Sequence, residues 1–313
     1  MRRIFIAVLC FAALTGAAPA ASATTVGVVL AGSVLVFWQS MMKGIRHAAD
    51  DLHVDLIMRS PSDGASLGTQ ANVQLQMVDY LVKSGVAGIV LAPEPLQGVK
   101  TPVSVTVPVV LVDRGSNDYL SVSTVETNNF EAGKTAARSL MNILHKGSTV
   151  AVLRLAPSIP STTARENGFL SVAQEAGWNV VINTYVGYDF RMAGETARKL
   201  LAGYQGHLDA AFAPNETTAY GALQAVESMP PERRPRLVVF DWRPEFLDAL
   251  KGGSLYADVV QDPYRMGYLA VETLVSTLRH RPAPPDQYVD VVTVTQGNMN
   301  EPAIRAVIAN YNP

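Results

Sequence analysis

Apolar residues follow two different spacings along the chain. Short runs rich in valine, isoleucine, leucine and alanine alternate with longer stretches in which apolar residues recur every three or four positions. The first pattern is typical of buried strands and the second of amphipathic helices. Predicted strands span residues 25–31, 54–59, 88–92, 109–113, 120–127, 149–155, 180–186, 210–213, 237–241, 257–261 and 289–295. Predicted helices span residues 38–52, 73–81, 130–145, 163–176, 192–201, 217–228 and 264–278.

This alternation predicts an α/β fold with parallel sheets covered by helices on both faces. About ten strand-helix units are too many for one open sheet, and a new series begins near Asn128. We therefore predict two doubly wound lobes. In such sheets the carboxyl ends of the strands line the crevice where ligands bind.

Several predicted strands finish on polar residues. Asp113 and Arg114 end the buried run that starts at Val107. The remaining members of the set follow other strands and are Arg165, Asn215, Asp241 and Gln261. Asn215 and Asp241 have an alternative reading as helix N-caps. The alternative for Asp113 and Arg114 is an ion pair that clamps the following loop, although adjacent residues rarely face each other well enough to pair.

Together these polar residues suit a polyhydroxy ligand. Each sugar hydroxyl donates and accepts, which matches a site that combines carboxylate, guanidinium and amide groups. Aromatic rings would cover the C–H faces of such a ligand. The candidates are Phe37, Trp38, Tyr188 or Phe190, and Trp242. For Trp38 and Trp242, simple core packing is the alternative.

The N-terminus has the pattern of a secretory signal peptide. Arg2 and Arg3 precede an apolar run, and small residues follow up to Ala23. We expect residues 1–23 to be removed by cleavage after Ala23. The single cysteine, Cys10, lies in this segment. A secreted chain of this size without cysteine fits the bacterial periplasm.

Composition and motifs narrow the possible functions. The chain is 48% hydrophobic with a formal net charge of −2, which argues against a nucleic-acid partner. The sequence at residues 64–68 fits the G-x-S-x-G pattern around Ser66, but a loop containing Pro61 separates it from the preceding strand. The five histidines lack metal-binding spacing. We therefore expect a protein that is not an enzyme and has no metal or cofactor.

A set of motifs carries a resemblance to a known family. The motifs are VLVDR at residues 110–114, NNFEAGK at 128–134, ARENGF at 164–169, FAPNE at 212–216 with GAL at 221–223, VFD at 239–241, and VQDP at 260–263 with Met266 and Gly267. With them the chain resembles the periplasmic sugar-binding proteins of the ribose- and galactose-binding type, which share their fold with lac-repressor-type ligand cores. The likeness extends over nearly the whole chain after the signal peptide.

The resemblance implies a monomeric receptor that closes around a sugar, polyol or cyclitol by a hinge and delivers it to an inner-membrane ABC permease. It places Asp113, Arg114, Arg165, Asn215, Asp241 and Gln261 on ligand-contacting positions. It also implies three chain crossings near residues 127–128, 261–262 and 288–290. The lobes would then be residues 24–127 plus 262–289 and residues 128–261 plus 290–313.

The chain departs from the family pattern around the predicted site. The polar residue usual after the first strand is missing before Phe37 and Trp38, and Trp242 replaces a glycine and would narrow the pocket. These changes bear on the identity of the ligand. The alternative function is a periplasmic sensor whose ligand-bound form is read by a histidine kinase or chemoreceptor, because the fold alone does not identify the partner.

Overall fold

The computed structural model describes residues 24–61, 67–96, 98, 100–204 and 207–311. The predicted signal peptide, with Cys10, lies outside the described residues, as does Ser66 of the G-x-S-x-G sequence. The described residues form two sheets, each with helices on both faces, and this confirms the predicted α/β fold with two lobes.

The first lobe is built on a six-stranded sheet in the order β11-β5-β4-β3-β1-β2, in which all neighbours are parallel. Its strands are β1 (Thr25–Val29), β2 (Asp55–Arg59), β3 (Gly88–Leu91), β4 (Val109–Asp113), β5 (Ser123–Glu126) and β11 (Asp286–Tyr288). Strands β3 and β4 are buried along their whole length. Such continuous burial explains why their sequences are runs of aliphatic residues without polar alternation.

The second lobe repeats this topology in a six-stranded sheet with the order β12-β10-β9-β8-β6-β7. Its strands are β6 (Thr149–Arg154), β7 (Asn179–Tyr185), β8 (Ala210–Ala213), β9 (Arg236–Phe240), β10 (Ala257–Val260) and β12 (Val292–Thr295). Only the last strand pairs antiparallel, with β10. In each lobe the direction of winding reverses between two central strands, β1 and β3 in one and β6 and β8 in the other. Ligand crevices in doubly wound sheets form at such reversals.

The helices pack in pairs on the faces of the sheets. They are α1 (Val36–Leu52), α2 (Leu67–Lys83), α3 (Asn129–Arg138), α4 (Pro160–Glu175), α5 (Phe190–Gly203), α6 (Glu216–Glu227), α7 (Pro244–Gly252), α8 (Pro263–Leu278) and α9 (Pro302–Ala309). The tightest pairs are α1 with α8, α3 with α4, and α5 with α6. Helix α8 also packs on β3, β4 and β5, so it belongs to the first lobe although it follows β10 of the second.

The chain therefore passes from one lobe to the other between β5 and α3, between β10 and α8, and between β11 and β12. Thr127 and Gln261, which occupy the first two passages, are both buried. Buried apolar clusters lie on the two faces of each sheet. Three short connections therefore join two lobes, each of which has its own apolar core.

Some predicted elements differ from the structure. Helices α7 and α9 and strand β11 were not predicted; β11 has the sequence Asp-Gln-Tyr, which carries no apolar pattern. The strand predicted to begin at Leu120 begins at Ser123, and Leu120 and Val122 before it are exposed. The helix predicted to reach His145 ends at Arg138, and turns with i→i+3 hydrogen bonds follow it.

Glycines set the close approach of α3 and α4. A Cβ atom at Gly133 would overlap the carbonyl group of Arg165, and one at Gly168 would overlap the carbonyl oxygen of Phe130. The two backbones are thus nearly in contact, and this brings Asn129 within 2.8 Å of Arg165. The helix pair consequently positions one of the predicted site residues.

We predict that Gly133→Ala lowers the free energy of unfolding by about 1–3 kcal/mol, because the added methyl group can only be accommodated by moving two backbones apart. Urea denaturation of both proteins measures the difference. Gly203→Ala is the matched control, since a Cβ at this exposed helical glycine meets nothing within 4 Å, and alanine favours the helix by up to about 1 kcal/mol. Equal stability of the Gly133→Ala and wild-type proteins would contradict this account of the packing.

Candidate functional site

A cavity of about 320 Å³ lies between the carboxyl ends of the two sheets. We call it the central cavity. Nine of the ten predicted site residues line it: Phe37, Trp38, Asp113, Arg114, Arg165, Phe190, Asn215, Asp241 and Gln261. Residues from both lobes thus face the same space, as expected for strand ends that converge at two topological switch points.

Asp113 and Asp241 occupy equivalent positions at the ends of β4 and β9. Each has a left-handed backbone, with φ of 71° and 72°, respectively. Few residues other than glycine adopt this conformation, and aspartate is among the more tolerant ones. Backbone strain of this kind is concentrated at functional sites. The repeated topology therefore presents one buried carboxylate from each lobe to the central cavity.

Asp113 and Arg114 form an ion pair, in contrast to the expectation that neighbouring residues would face each other poorly. Nε and Nη2 of Arg114 donate to Oδ2 of Asp113 at 2.7 and 2.6 Å. Burial opposes the charge of Arg114, but Asp113 and Glu94 outweigh it and raise the pKa of the guanidinium. The remaining nitrogen, Nη1, is buried without a hydrogen-bond partner among the described residues.

The second lobe holds its charged residues in a connected network. Arg165 donates through Nε to Asn129 Oδ1 at 2.8 Å and through Nη1 to the carbonyl of Pro214 at 3.0 Å. Its Nη1 also lies 3.8 Å from Asp241, and its guanidinium lies 4.1 Å from the ring centre of Phe240. Burial lowers the pKa of Arg165 even though Asp241 opposes the shift.

Asp241 is the acceptor at the centre of this network. Its Oδ1 accepts from Gln261 Nε2 at 2.6 Å and its Oδ2 from the backbone N–H of Glu216 at 3.1 Å. Burial raises the pKa of Asp241, against the effect of Arg165. The amide oxygen of Gln261 is buried and has no hydrogen-bond partner within the described part of the chain. The side-chain nitrogen of Gln261 is thus bonded to Asp241, while its side-chain oxygen can still accept a hydrogen bond.

Asn215 is the N-cap of α6, which was the alternative to a role in ligand binding. Its Oδ1 accepts from the backbone N–H of Thr218 at 3.2 Å and from the hydroxyl of Thr218 at 2.9 Å, so it caps α6. It also lines the central cavity. Capping fixes the orientation of the side chain, which makes the two roles compatible.

Trp242 is the predicted site residue that does not line the cavity. It is 1% exposed and belongs to the apolar core of the second lobe, together with Phe246 and Tyr311. Leu237 and Val239 of β9 belong to the same core. The left-handed backbone at Asp241 interrupts the alternation of the strand, so Asp241 lines the cavity and Trp242 faces the core. The expectation that Trp242 narrows the pocket is therefore wrong. Tyr188, the alternative to Phe190, lines the cavity alongside it.

Two buried acidic residues that the strand-end pattern missed lie at the central cavity or next to a residue that lines it. Glu94 lies three residues beyond β3, is 4% exposed and lines the central cavity. Glu216 follows Asn215 directly and is 1% exposed. Following every strand for a few residues past its end would have found Glu94, whereas nothing in the sequence marks Glu216 apart from its neighbour.

Glu216 connects the two lobes. Its Oε1 and Oε2 accept from the backbone N–H groups of Val36 and Phe37, at 3.3 and 3.2 Å, and these belong to the first turn of α1 in the other lobe. No side chain of its own caps α1. Nη1 of Arg243 donates to Oε1 of Glu216 at 2.9 Å. Burial raises the pKa of Glu216 to about 7 despite these donors.

Among the described residues, no group of three or more histidine, cysteine, aspartate and glutamate side chains could hold a metal ion. No helix in the described ranges is long and apolar enough to cross a membrane.

Two doubly wound lobes with three connections and a cavity between them define the class of bilobed α/β binding proteins. The chain belongs to the periplasmic binding protein family: the family model for the periplasmic binding protein domain matches residues 26–282. This confirms the resemblance found in the sequence, and the relatives named below are binding proteins rather than enzymes.

The ribose import binding protein RbsB of Bacillus subtilis is 31% identical over 243 residues, which cover 75% of each chain. The D-allose-binding periplasmic protein of Escherichia coli is 27% identical and covers 83% of this chain and 88% of its own. A solved carbohydrate transporter solute binding protein from Agrobacterium radiobacter, in complex with D-arabinose, has a TM-score of 0.80 at 24% identity. That likeness covers 92% of this chain and all of the other, and it shows the shared fold.

Glu126 is a titratable group at the first passage between the lobes. It ends β5 in register with Asp113, and its Oε2 accepts from the backbone N–H of Gly115 at 3.1 Å. Burial raises its pKa to about 7, against the effect of that hydrogen bond. The folded protein therefore binds a proton here at pH values at which the unfolded chain has lost it.

We predict that the free energy of unfolding of the wild-type protein falls more steeply between about pH 5 and pH 8 than that of Glu126→Gln. The contribution of a carboxyl with a raised pKa is fully present below its unfolded value and is lost as the pH rises through about 7. The difference between the two curves should reach about 1–3 kcal/mol. Glutamine keeps the acceptor for Gly115 but does not titrate. Urea denaturation at several pH values measures both curves. If the free energies of unfolding of the two proteins change equally with pH, Glu126 does not have this role.

Proposed function

We propose that the protein is a periplasmic solute-binding protein that encloses a sugar in the central cavity and delivers it to an ABC importer. The observation that carries the proposal is a set of buried polar atoms without partners among the described residues, in residues that line one cavity: Arg114 Nη1 and Glu94 Oε2 in the first lobe, and Gln261 Oε1 at the second passage, where Gln261 is bonded to Asp241 of the second lobe. Buried polar groups are nearly always hydrogen-bonded. A ligand with several hydroxyls would satisfy donors and acceptors on both sides at once.

The size and the walls of the cavity support the same ligand class. A volume of about 320 Å³ is at the small end of the range for ligand sites, about 300–1,000 Å³, which suits a monosaccharide better than a chain of sugars. Phe37 and Trp38, in an edge-to-face pair with ring centres 4.9 Å apart, line it from one lobe. Phe190 lines it from the other, so aromatic surface is available to the C–H faces of a ring.

The strand membership of the two sheets supports the predicted lobe boundaries. We propose lobes of residues 24–127 plus 262–289 and of residues 128–261 plus 290–313, which move about the three connections. Export through a signal peptide cleaved after Ala23, and a monomeric state, complete the proposal. Delivery to an importer, in preference to a sensor kinase, is supported by the name of the Bacillus relative as an import binding protein.

The first test is a thermal-shift screen of the chain from Thr24 onward against D-ribose, D-allose, D-arabinose, hexoses, polyols and inositols. A ligand that binds only the folded form raises the melting temperature in proportion to the logarithm of its concentration over its Kd. A large shift with one sugar or a few related sugars is expected. If only inositols or polyols raise the melting temperature, the ligand is an inositol or a polyol and not a sugar. If no compound raises it, the proposed function is contradicted.

For the sugar that binds most tightly, we predict that Asp113→Asn weakens binding by about 10- to 100-fold, because the amide removes a charged acceptor and loosens Arg114. Isothermal titration calorimetry measures the Kd. The control is Asp79→Asn, which alters an exposed ion pair with Lys83 on α2 and should leave the affinity unchanged. An unchanged affinity of Asp113→Asn would exclude Asp113 from the site.

A further inference from the structure

Glu94 lines the central cavity and is buried, but one of its carboxyl oxygens has no hydrogen bond to any described residue. It is 4% exposed, and its Oε2 has no hydrogen-bond partner among the described residues. Its Oε1 lies 3.9 Å from Nη1 of Arg114, which is too far for a hydrogen bond. That same nitrogen also lacks a hydrogen-bond partner in the described part of the chain. A carboxylate with an unbonded oxygen and a guanidinium with an unbonded nitrogen therefore lie next to each other in the described part of the first lobe.

The position of Glu94 is fixed from behind by Gln74. The side-chain oxygen of Gln74 accepts from the backbone N–H of Glu94 at 2.8 Å. Its nitrogen donates to the carbonyls of Leu30 and Ala92 at 3.1 and 2.9 Å. Gln74 is fully buried, so its amide ties together the ends of β1 and β3 on the two sides of the switch point. Such support is typical of groups whose orientation matters for binding.

We propose that Glu94 is a specificity-determining residue, which together with Arg114 Nη1 binds one particular hydroxyl of the sugar. The inference rests on the proposed function and adds a contact to the strand-end residues already assigned to the site. A hydroxyl oxygen can lie about 2.8 Å from both Arg114 Nη1 and Glu94 Oε1, because these two atoms are 3.9 Å apart. It accepts from Nη1 of the guanidinium and donates to the carboxylate, so each of these two groups gains a hydrogen bond.

The chemistry of the pair determines which ligands are accepted. A hydroxyl is both donor and acceptor, whereas a hydrogen or a methoxy group at the same position leaves Glu94 without a donor. Sites built to bind a hydroxyl discriminate strongly against analogues that lack it, because their buried polar groups then remain unpaired. The consequence is selection for a sugar with a free hydroxyl at this point. Burial raises the pKa of Glu94, against the effect of Arg114, and the protonated form can also bond to a hydroxyl.

The test measures the affinities of wild type, Glu94→Ala and Glu94→Gln for D-ribose, D-allose and D-arabinose and for the monodeoxy analogues of each. For a sugar that binds wild type, Glu94→Ala should weaken binding by about 10- to 100-fold. For one monodeoxy analogue of that sugar the same substitution should change the affinity by less than about threefold, because the hydroxyl it served is missing. Glu94→Gln, which keeps an acceptor, should lose less than Glu94→Ala. Glu175→Ala, at an exposed position at the end of α4, is the control.

Two results would overturn the inference while leaving the proposed function intact. One is an equal loss of affinity for the parent sugar and for all of its monodeoxy analogues, which would mean that Glu94 acts only on the structure of the lobe. The other is wild-type affinity in both Glu94 variants. If wild type itself binds none of the sugars in the screen, the proposed function fails and the inference fails with it. Urea denaturation of each variant establishes that it is folded.

Discussion

A carboxylate of the second lobe caps a helix of the first lobe and so joins the two lobes outside their three connections. Glu216 starts α6 in the second lobe, yet its oxygens accept from the first turn of α1 in the first lobe. The N-terminus of a helix carries unpaired N–H groups and a partial positive charge, so a carboxylate placed there is stabilising. Arg243 holds the same carboxylate at 2.9 Å and lies against the rings of Phe190 and Tyr220. Moving the lobes apart would leave α1 without a side-chain cap and would expose the carboxylate of Glu216 to water.

Burial of charged side chains away from water is the main unfavourable contribution at the site. Burial is the largest influence on the pKa of Asp241, Glu216, Glu94 and both cavity arginines. Buried charges are tolerated when paired and hydrogen-bonded. In the wall that the second lobe contributes to the cavity, Arg165 and Asp241 meet this condition through several hydrogen bonds each. The first lobe meets it only in part, because Arg114 is paired on one edge with Asp113 and has no partner at Nη1.

Much of this arrangement could be predicted from the sequence, and the remainder could not, for physical reasons. Strands buried on both faces are recognisable as aliphatic runs, and the residue that ends such a run must lie at the edge of the sheet; this is why Asp113 and Asp241 were found. Which way a side chain turns after the strand depends on one backbone angle, so Trp242 was assigned to the wrong side. The capping of α1 by Glu216 joins residues 180 positions apart, and no local pattern encodes a contact of that range. The role of each residue in binding stays a prediction.

A ligand can favour the closed form only through interactions that the open form lacks. Groups that are already paired within one lobe, such as Arg165 with Asn129, contribute equally to both forms and serve to fix the geometry. The groups that still lack a hydrogen bond within the described ranges are different: Glu94 and Arg114 belong to the first lobe, whereas Gln261 lies at the second connection and is bonded to Asp241 of the second lobe. A rigid ring that bonds to both sides at once gains from closure, whereas a ligand that reaches only one side does not. The distribution of unpaired atoms, more than the number of polar residues, therefore decides which molecules can close the lobes.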